Sequence, residues 1–271
     1  MNKILRSILL VFFSLVFLGS AVMLTKELVD RRISAGYLNE MQGDYTPASP
    51  ADVLSRSEVE QPDTESSSAL TEGTAGASTE VSVAADTSNP SIQALVADYP
   101  DAVGWLTCEG ADVSHPFAIG EDNATYIRST LDGSYVRSGT LFMDYRNDRS
   151  MEDSLSVIFG HNMNNGTMFS SLKRYLDSSY IVNHPDVYIS LPDRTIHYTV
   201  WASMVANAVY DTLFTSVGTK GNIQDIVDYV SSNADYINRN LEVDGNDKLL
   251  VLSTCNPSYF YARTVLICVA D

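Results

Sequence analysis

The sequence predicts a mainly β domain held behind an apolar N-terminal helix and an acidic linker. Three observations predict this. Six runs rich in β-branched and aromatic residues are separated by Gly, Asn, Asp and Pro. A single late segment carries helical periodicity. The first quarter of the chain divides into an uncharged run and a polar one.

Taken in order, Ser7 to Leu24 reads SILLVFFSLVFLGSAVML, 18 positions without a charge. A helix of that length spans about 27 Å, close to the thickness of a bilayer core. Lys3 and Arg6 precede it; Lys26, Arg31 and Arg32 follow, so charge alone does not set its orientation. Gly19-Ser20-Ala21 would serve as a signal-peptide cleavage site, but the apolar run continues past it. The expected organisation is a cytoplasmic tail at 1–6 and an uncleaved single-pass anchor at 7–24. With or without cleavage, the rest of the chain is exported.

Residues 25–90 are expected to be a membrane-proximal segment and then a linker. From Gly43 to Pro90 there are nine acidic residues against Arg56 alone, with Ser, Thr, Ala and Gly in most other places. So little apolar surface does not offset the entropy of ordering, and a disordered acidic spacer is expected.

The remaining 91–271 hold 181 residues, enough for one core. Ile92, Leu95 and Val96 behind Asn89-Pro90 predict a short helix. Strands are predicted at Gly139–Tyr145, Leu155–Phe159, Val187–Leu191, Thr195–Met204, Leu249–Ser253 and Thr264–Val269. In Asn222–Arg239 the apolar positions Ile223, Ile226, Val227, Val230, Ala234 and Ile237 fall on one helical face. Strands do not alternate with helices, which disfavours a doubly wound sheet.

The full chain has 17 Lys+Arg against 34 Asp+Glu, net −17. A nucleic-acid binder needs the opposite sign. No CxxC, HxxxH, GxGxxG or P-loop spacing occurs, so no metal and no cofactor are expected. Of three cysteines, Cys268 sits inside an apolar strand and Cys108 reads as a second core thiol. A Cys108–Cys268 disulfide would also leave Cys255 free, but strand packing explains Cys268 better. Cys255 ends the apolar run Leu249–Ser253 and is followed by the turn residues Asn256-Pro257. Arg263 opens the next run, and His161 follows the run Leu155–Phe159. A thiol, an imidazole and a guanidinium at strand ends make a nucleophile, an acid–base group and an oxyanion stabiliser. His115, His184 and His197 read as structural.

These residues resemble a known family. Leu252-Ser253-Thr254-Cys255 with Arg263 eight positions on is similar to the sortase TLxTC…R signature. Phe159-Gly160-His161-Asn162-Met163, then Gly166-Thr167-Met168-Phe169, resembles the segment around the sortase histidine. Pro100–Leu106, Asp122-Asn123 with Tyr126-Ile127, and Gly139–Asp144 fit the earlier part of that domain, and the helix before the cysteine strand points to class B. The resemblance implies a closed eight-stranded β-barrel with an N-terminal helix and an inserted helix. It implies an extracytoplasmic cysteine transpeptidase in which Cys255, His161 and Arg263 are catalytic. Its partners would be sorting-signal-bearing secreted proteins and an amine, from a peptidoglycan precursor or a pilin lysine. Asn123, Ile127, Tyr210 and Ser253 match substrate-groove positions. An acidic residue often found after the cysteine is replaced here by Asn256-Pro257-Ser258. From the residues alone, an exported cysteine endopeptidase that only hydrolyses, or a surface module without activity, remain alternatives.

Overall fold

The structure, a computed structural model, describes residues 3–51, 53–54 and 88–271. The central part of the expected linker, 55–87, lies outside the described residues.

Nine strands form one sheet: β1 (Ala102–Cys108), β2 (Val113–Ile119), β3 (Leu141–Met143), β4 (Leu155–Phe159), β5 (Asp186–Ser190), β6 (Thr195–Asn207), β7 (Tyr236–Ile237), β8 (Leu249–Cys255) and β9 (Ala262–Ala270). Their order is β5-β1-β2-β3-β4-β8-β9-β6-β7, and β5 also pairs with β6. That pairing closes eight strands into a barrel, with β7 appended outside the ring. Closure leaves no open edge among the eight.

The continuous apolar runs have a simple cause. Leu250 and Leu252 of β8 and Leu266 and Cys268 of β9 point into the barrel. Their neighbours Leu249, Val251, Val265, Ile267 and Val269 pack outside it against helix α5 (Gln224–Asn233), through Ile226, Val227 and Val230. Strands covered on both faces need no polar alternation. On the opposite wall, Trp105, Ala118 and Phe142 lie under Ile92 and Leu95 of helix α2 (Pro90–Asp98). Two further short helices are α3 (Ser178–Asn183) and α4 (Thr212–Thr215).

Two strands escaped the sequence pattern. β1 contains Gly104, whose missing Cβ would stand 2.5 Å from the Ser190 carbonyl oxygen of β5. β2 contains Pro116, one residue before β3 joins the strand at Phe117. Gly and Pro are ordinarily read as punctuation; here one admits a close strand and the other precedes a ladder. The predicted helix over Asn222–Arg239 is shorter, ending at Asn233. Ala234 is extended, and Ile237 pairs with Ala202 as part of β7. Ser231-Ser232-Asn233 are poor helix formers, and sheet pairing takes over the chain there.

The N-terminal helix α1 runs without a break from Lys3 to Tyr45. It continues 21 residues beyond the uncharged run, and its second half docks on the barrel. Leu38 is buried with the barrel interior and Met41 with the residues under α2. The Tyr37 hydroxyl accepts from the Leu131 N–H (3.2 Å), Gln42 donates to the Ser114 carbonyl (3.0 Å), and Tyr45 donates to Asp98 (2.6 Å). Ser34, Leu38, Met41 and Tyr45 recur at helical spacing, a docking face that the sequence carries.

His115 is buried in β2 and its Nδ1 has no hydrogen-bond partner. Burial lowers its pKa from 6.5 to about 4. The unfolded chain takes up this proton near 6.5, so stability present above that pH is lost as pH falls toward 4. The loss amounts to about 3 kcal/mol at full extent. Thermal melts across this window should therefore fall more steeply for the natural chain than for His115→Gln. Equal slopes would show that His115 does not couple to folding.

Candidate active site

Strand register assembles the site. β4 and β8 run parallel with Phe159 beside Ser253, so Gly160-His161, just past the end of β4, continue alongside Thr254-Cys255, the last residues of β8. Three hydrogen bonds lock them together. Gly160 N–H donates to the Ser253 carbonyl (3.1 Å), Thr254 Oγ1 to the Gly160 carbonyl (2.8 Å), and Asn162 Nδ2 to the Cys255 carbonyl (2.9 Å). On the other flank β9 runs antiparallel to β8 and sets Arg263 directly opposite Cys255. Cys255 thus stands at one barrel end with His161 on one side and Arg263 on the other.

Its accessibility sets this thiol apart. Cys255 is exposed, whereas Ser253 and Thr254 before it are buried. All three cysteines are free thiols. Burial pushes Cys108 up to about 11 and Cys268 well above its ordinary value. Neither forms a thiolate near neutral pH, so neither competes as a nucleophile.

The half-buried His161 ring places Nε2 at 2.6 Å from the Ile127 carbonyl oxygen. A carbonyl only accepts, so Nε2 carries the proton and Nδ1 keeps the free lone pair. That carbonyl is held in place by Gly139, which has φ +62° and passes so close that a Cβ there would lie 2.4 Å from the Ile127 oxygen. Burial lowers the His161 pKa below 6.5, outweighing the carbonyl, and nearby Arg128 lowers it further. The imidazole is therefore neutral at neutral pH. An activity that uses the neutral ring should have an acid limb in kcat/KM with its midpoint below 6.5. A midpoint above that value would contradict the buried setting of the ring.

The three residues line one cleft of about 670 Å³. Asn123, Ile127 and Ser253, expected from sequence, line it too. The Ser253 hydroxyl is buried and has no partner. Tyr210 follows Val209, which lines the cleft, but is itself 83% exposed on the loop. Phe142, Phe159 and Phe214 supply an apolar wall.

Sequence reasoning missed an ion pair in this cleft, between the buried Asp144 and the partly exposed Arg146. Asp144 accepts from Arg146 Nε and Nη2 (2.8 Å each), from the Arg146 N–H (3.1 Å) and from Asn123 Nδ2 (2.8 Å). Burial pushes the Asp144 carboxyl up, but these donors prevail and hold it below its ordinary value. The Asn123 amide is fixed at both ends, since its oxygen accepts from the Tyr145 N–H (3.1 Å). The Asp-x-Arg spacing directly after an apolar run was the available signal. No cluster of three His, Cys, Asp or Glu side chains suited to a metal occurs among the described residues.

Comparison with known proteins agrees with this geometry. The sortase domain family model matches residues 118–271. Sortase B of Listeria monocytogenes is 31% identical over 165 residues, which are 60% of this chain and 66% of that protein. The crystal structure of B. anthracis sortase B in complex with AAEK1 superposes with a TM-score of 0.65 at 21% identity. It covers 90% of this chain and 98% of that one. The Staphylococcus aureus sortase B–substrate complex superposes at 0.61 with 22% identity, over 69% and 87%. At those identities the two structures speak for the fold, a closed eight-stranded barrel with an N-terminal helix. Since the family model spans more than half of its length, the chain belongs to the sortase family, with relatives in class B.

Proposed function

We propose that this protein is a membrane-anchored class B sortase, a cysteine transpeptidase working outside the cytoplasm. One observation carries the reading: the single accessible thiol, Cys255, is flanked by His161 and Arg263 through strand register. Cys255 gives its thiol proton to the neutral His161 imidazole, making it imidazolium, and its sulfur attacks the carbonyl carbon of a Thr in a sorting signal. The Thr carbonyl becomes an oxyanion, which the Arg263 guanidinium stabilises. The peptide C–N bond then breaks, the leaving amine takes its proton from the His161 imidazolium, and a thioester remains. An incoming amine, deprotonated by His161, attacks that thioester and expels the Cys255 thiolate, giving a new amide. Asn123, Ile127 and Ser253 hold the signal in the cleft, with Tyr210 beside its mouth. That the S. aureus relative, of the same fold, forms a substrate complex supports substrate binding by this fold. The acceptor is a peptidoglycan cross-bridge amine or a pilin lysine. Residues 7–24 cross the bilayer as the anchor, with the barrel on the outer side.

The test uses quenched Thr-containing sorting peptides, with and without an added amine. Cleavage after Thr that yields an amide adduct with the amine is the expected result. Cleavage that depends on Cys255 but never forms an adduct across a range of amines would make this a hydrolytic cysteine endopeptidase instead.

A further inference from the structure

The cleft opens at the same end of the barrel from which the apolar half of α1 departs. Strand register shows which loops share that end. β4 finishes at Phe159 beside Ser253, β8 finishes at Cys255 opposite Arg263, and β6 finishes at Asn207 opposite Ala262. The loops beyond these strand ends are Asn162–Thr167, Ala208–Tyr210 and Asn256–Tyr261, and the last two are tied by Ala208 N–H donating to the Tyr261 carbonyl (3.0 Å). None of the three carries a charge, in a chain of net −17. Two of them instead expose Tyr210 (83%), Phe260 (81%) and Tyr261 (50%).

Helix α1 reaches this end first. Glu27 pairs with Arg137, and Glu27, Asp30 and Ser34 face Asn162–Asn165 across a cavity of about 90 Å³. From there the helix runs on to Tyr37, Gln42 and Tyr45, each fixed to the domain. Leu24, the last residue of the uncharged run, lies three residues before Glu27, about 4.5 Å along the axis. Leu28, Val29 and Ile33 beyond it remain exposed and apolar. With a docked helix there is no slack between the span and the barrel. The 55–87 stretch lies between α1 and α2 in sequence, after the docking residues, and so does not set the distance from the bilayer.

We propose that the cleft-bearing end of the barrel rests on the bilayer, with Tyr210, Phe260 and Tyr261 in its interfacial zone, where aromatic rings bind well. The cleft then opens at headgroup depth, and substrates enter along the membrane surface. This rests on the reading that residues 7–24 span the bilayer, independently of the chemistry at Cys255.

The test places a tryptophan in the full chain as Phe260→Trp or, separately, Tyr210→Trp, with Asn246→Trp near the opposite end as reference. Trp105 and Trp201 are buried and supply a common background. Each chain is reconstituted in phosphatidylcholine–phosphatidylglycerol vesicles whose acyl chains are brominated near the headgroup. Retention after an alkaline wash reports the span itself. Among retained chains, emission from position 260 or 210 should be blue-shifted and quenched at least about twofold more than from 246, as expected for an interfacial ring. Equal quenching at all three positions in retained chains would overturn the proposal while leaving the anchor intact. So would a blue shift at 260 that appears only when a sorting peptide is added, which would make the loops a peptide-docking surface. Loss of every chain in the wash would overturn the span reading and this proposal with it.

Discussion

Cys255→Ala is expected to abolish both cleavage and transfer, a loss of about 10⁴-fold or more in kcat/KM, the scale seen when a covalent nucleophile is deleted. The fold should survive. The side chain is exposed at a strand end, its carbonyl still accepts from Asn162, and surface changes of this kind shift stability by about 0.5 kcal/mol or less. The measurement pairs peptide turnover with mass spectrometry of the trapped thioacyl species, alongside a melting curve. Residual turnover at natural levels with an unchanged melt would remove Cys255 from the mechanism. Neither remaining thiol can take its place, because Cys108 and Cys268 lie inside the barrel.

The second large effect concerns Arg263. Replacing it by Lys keeps the positive charge and the position opposite Cys255 but removes the planar fork. If the guanidinium binds the developing oxyanion, turnover should fall about 10²- to 10³-fold, mostly in kcat. A role limited to the general electric field would leave Arg263→Lys near natural activity. A role limited to peptide binding would raise KM and spare kcat. Steady-state kinetics of this one variant separates the three, and only the kcat loss agrees with oxyanion binding.

The site was largely legible in the sequence because its chemistry sits where strands stop. His161, Cys255 and Arg263 each adjoin an apolar run, and the register of those runs is what brings them together. Asp144 and Arg146 were less legible. They became cleft residues only when β3 folded beside β4 and Asn123 was carried across to meet them, a contact spanning 21 residues. β1 and β2 were hidden by Gly104 and Pro116. Each is tolerated there for a reason supplied by a neighbouring strand, which no local window contains. The docked half of α1 was hidden differently. Tyr37, Leu38 and Met41 do repeat helically, but Asp30, Arg31 and Arg32 before them and Glu40 among them dilute the apolar signal that marks the preceding span.

Barrel closure also constrains the order of folding. Strand β9, the last of the nine in sequence, does not sit at a margin; it lies between β8 and β6 and carries Arg263. Until it emerges, β6 and β8 have nothing between them and the ring stays open. Pairings between strands far apart in sequence also form slowly. A chain emerging in the order of its sequence would present β1 and β2 well before the strand that completes the barrel. Throughout that interval the apolar faces of β4, β6 and β8 are uncovered, the state in which chains aggregate or are degraded. Assembly of the end that carries Cys255 is therefore postponed until β9 has emerged, so no unfinished chain brings Cys255, His161 and Arg263 together.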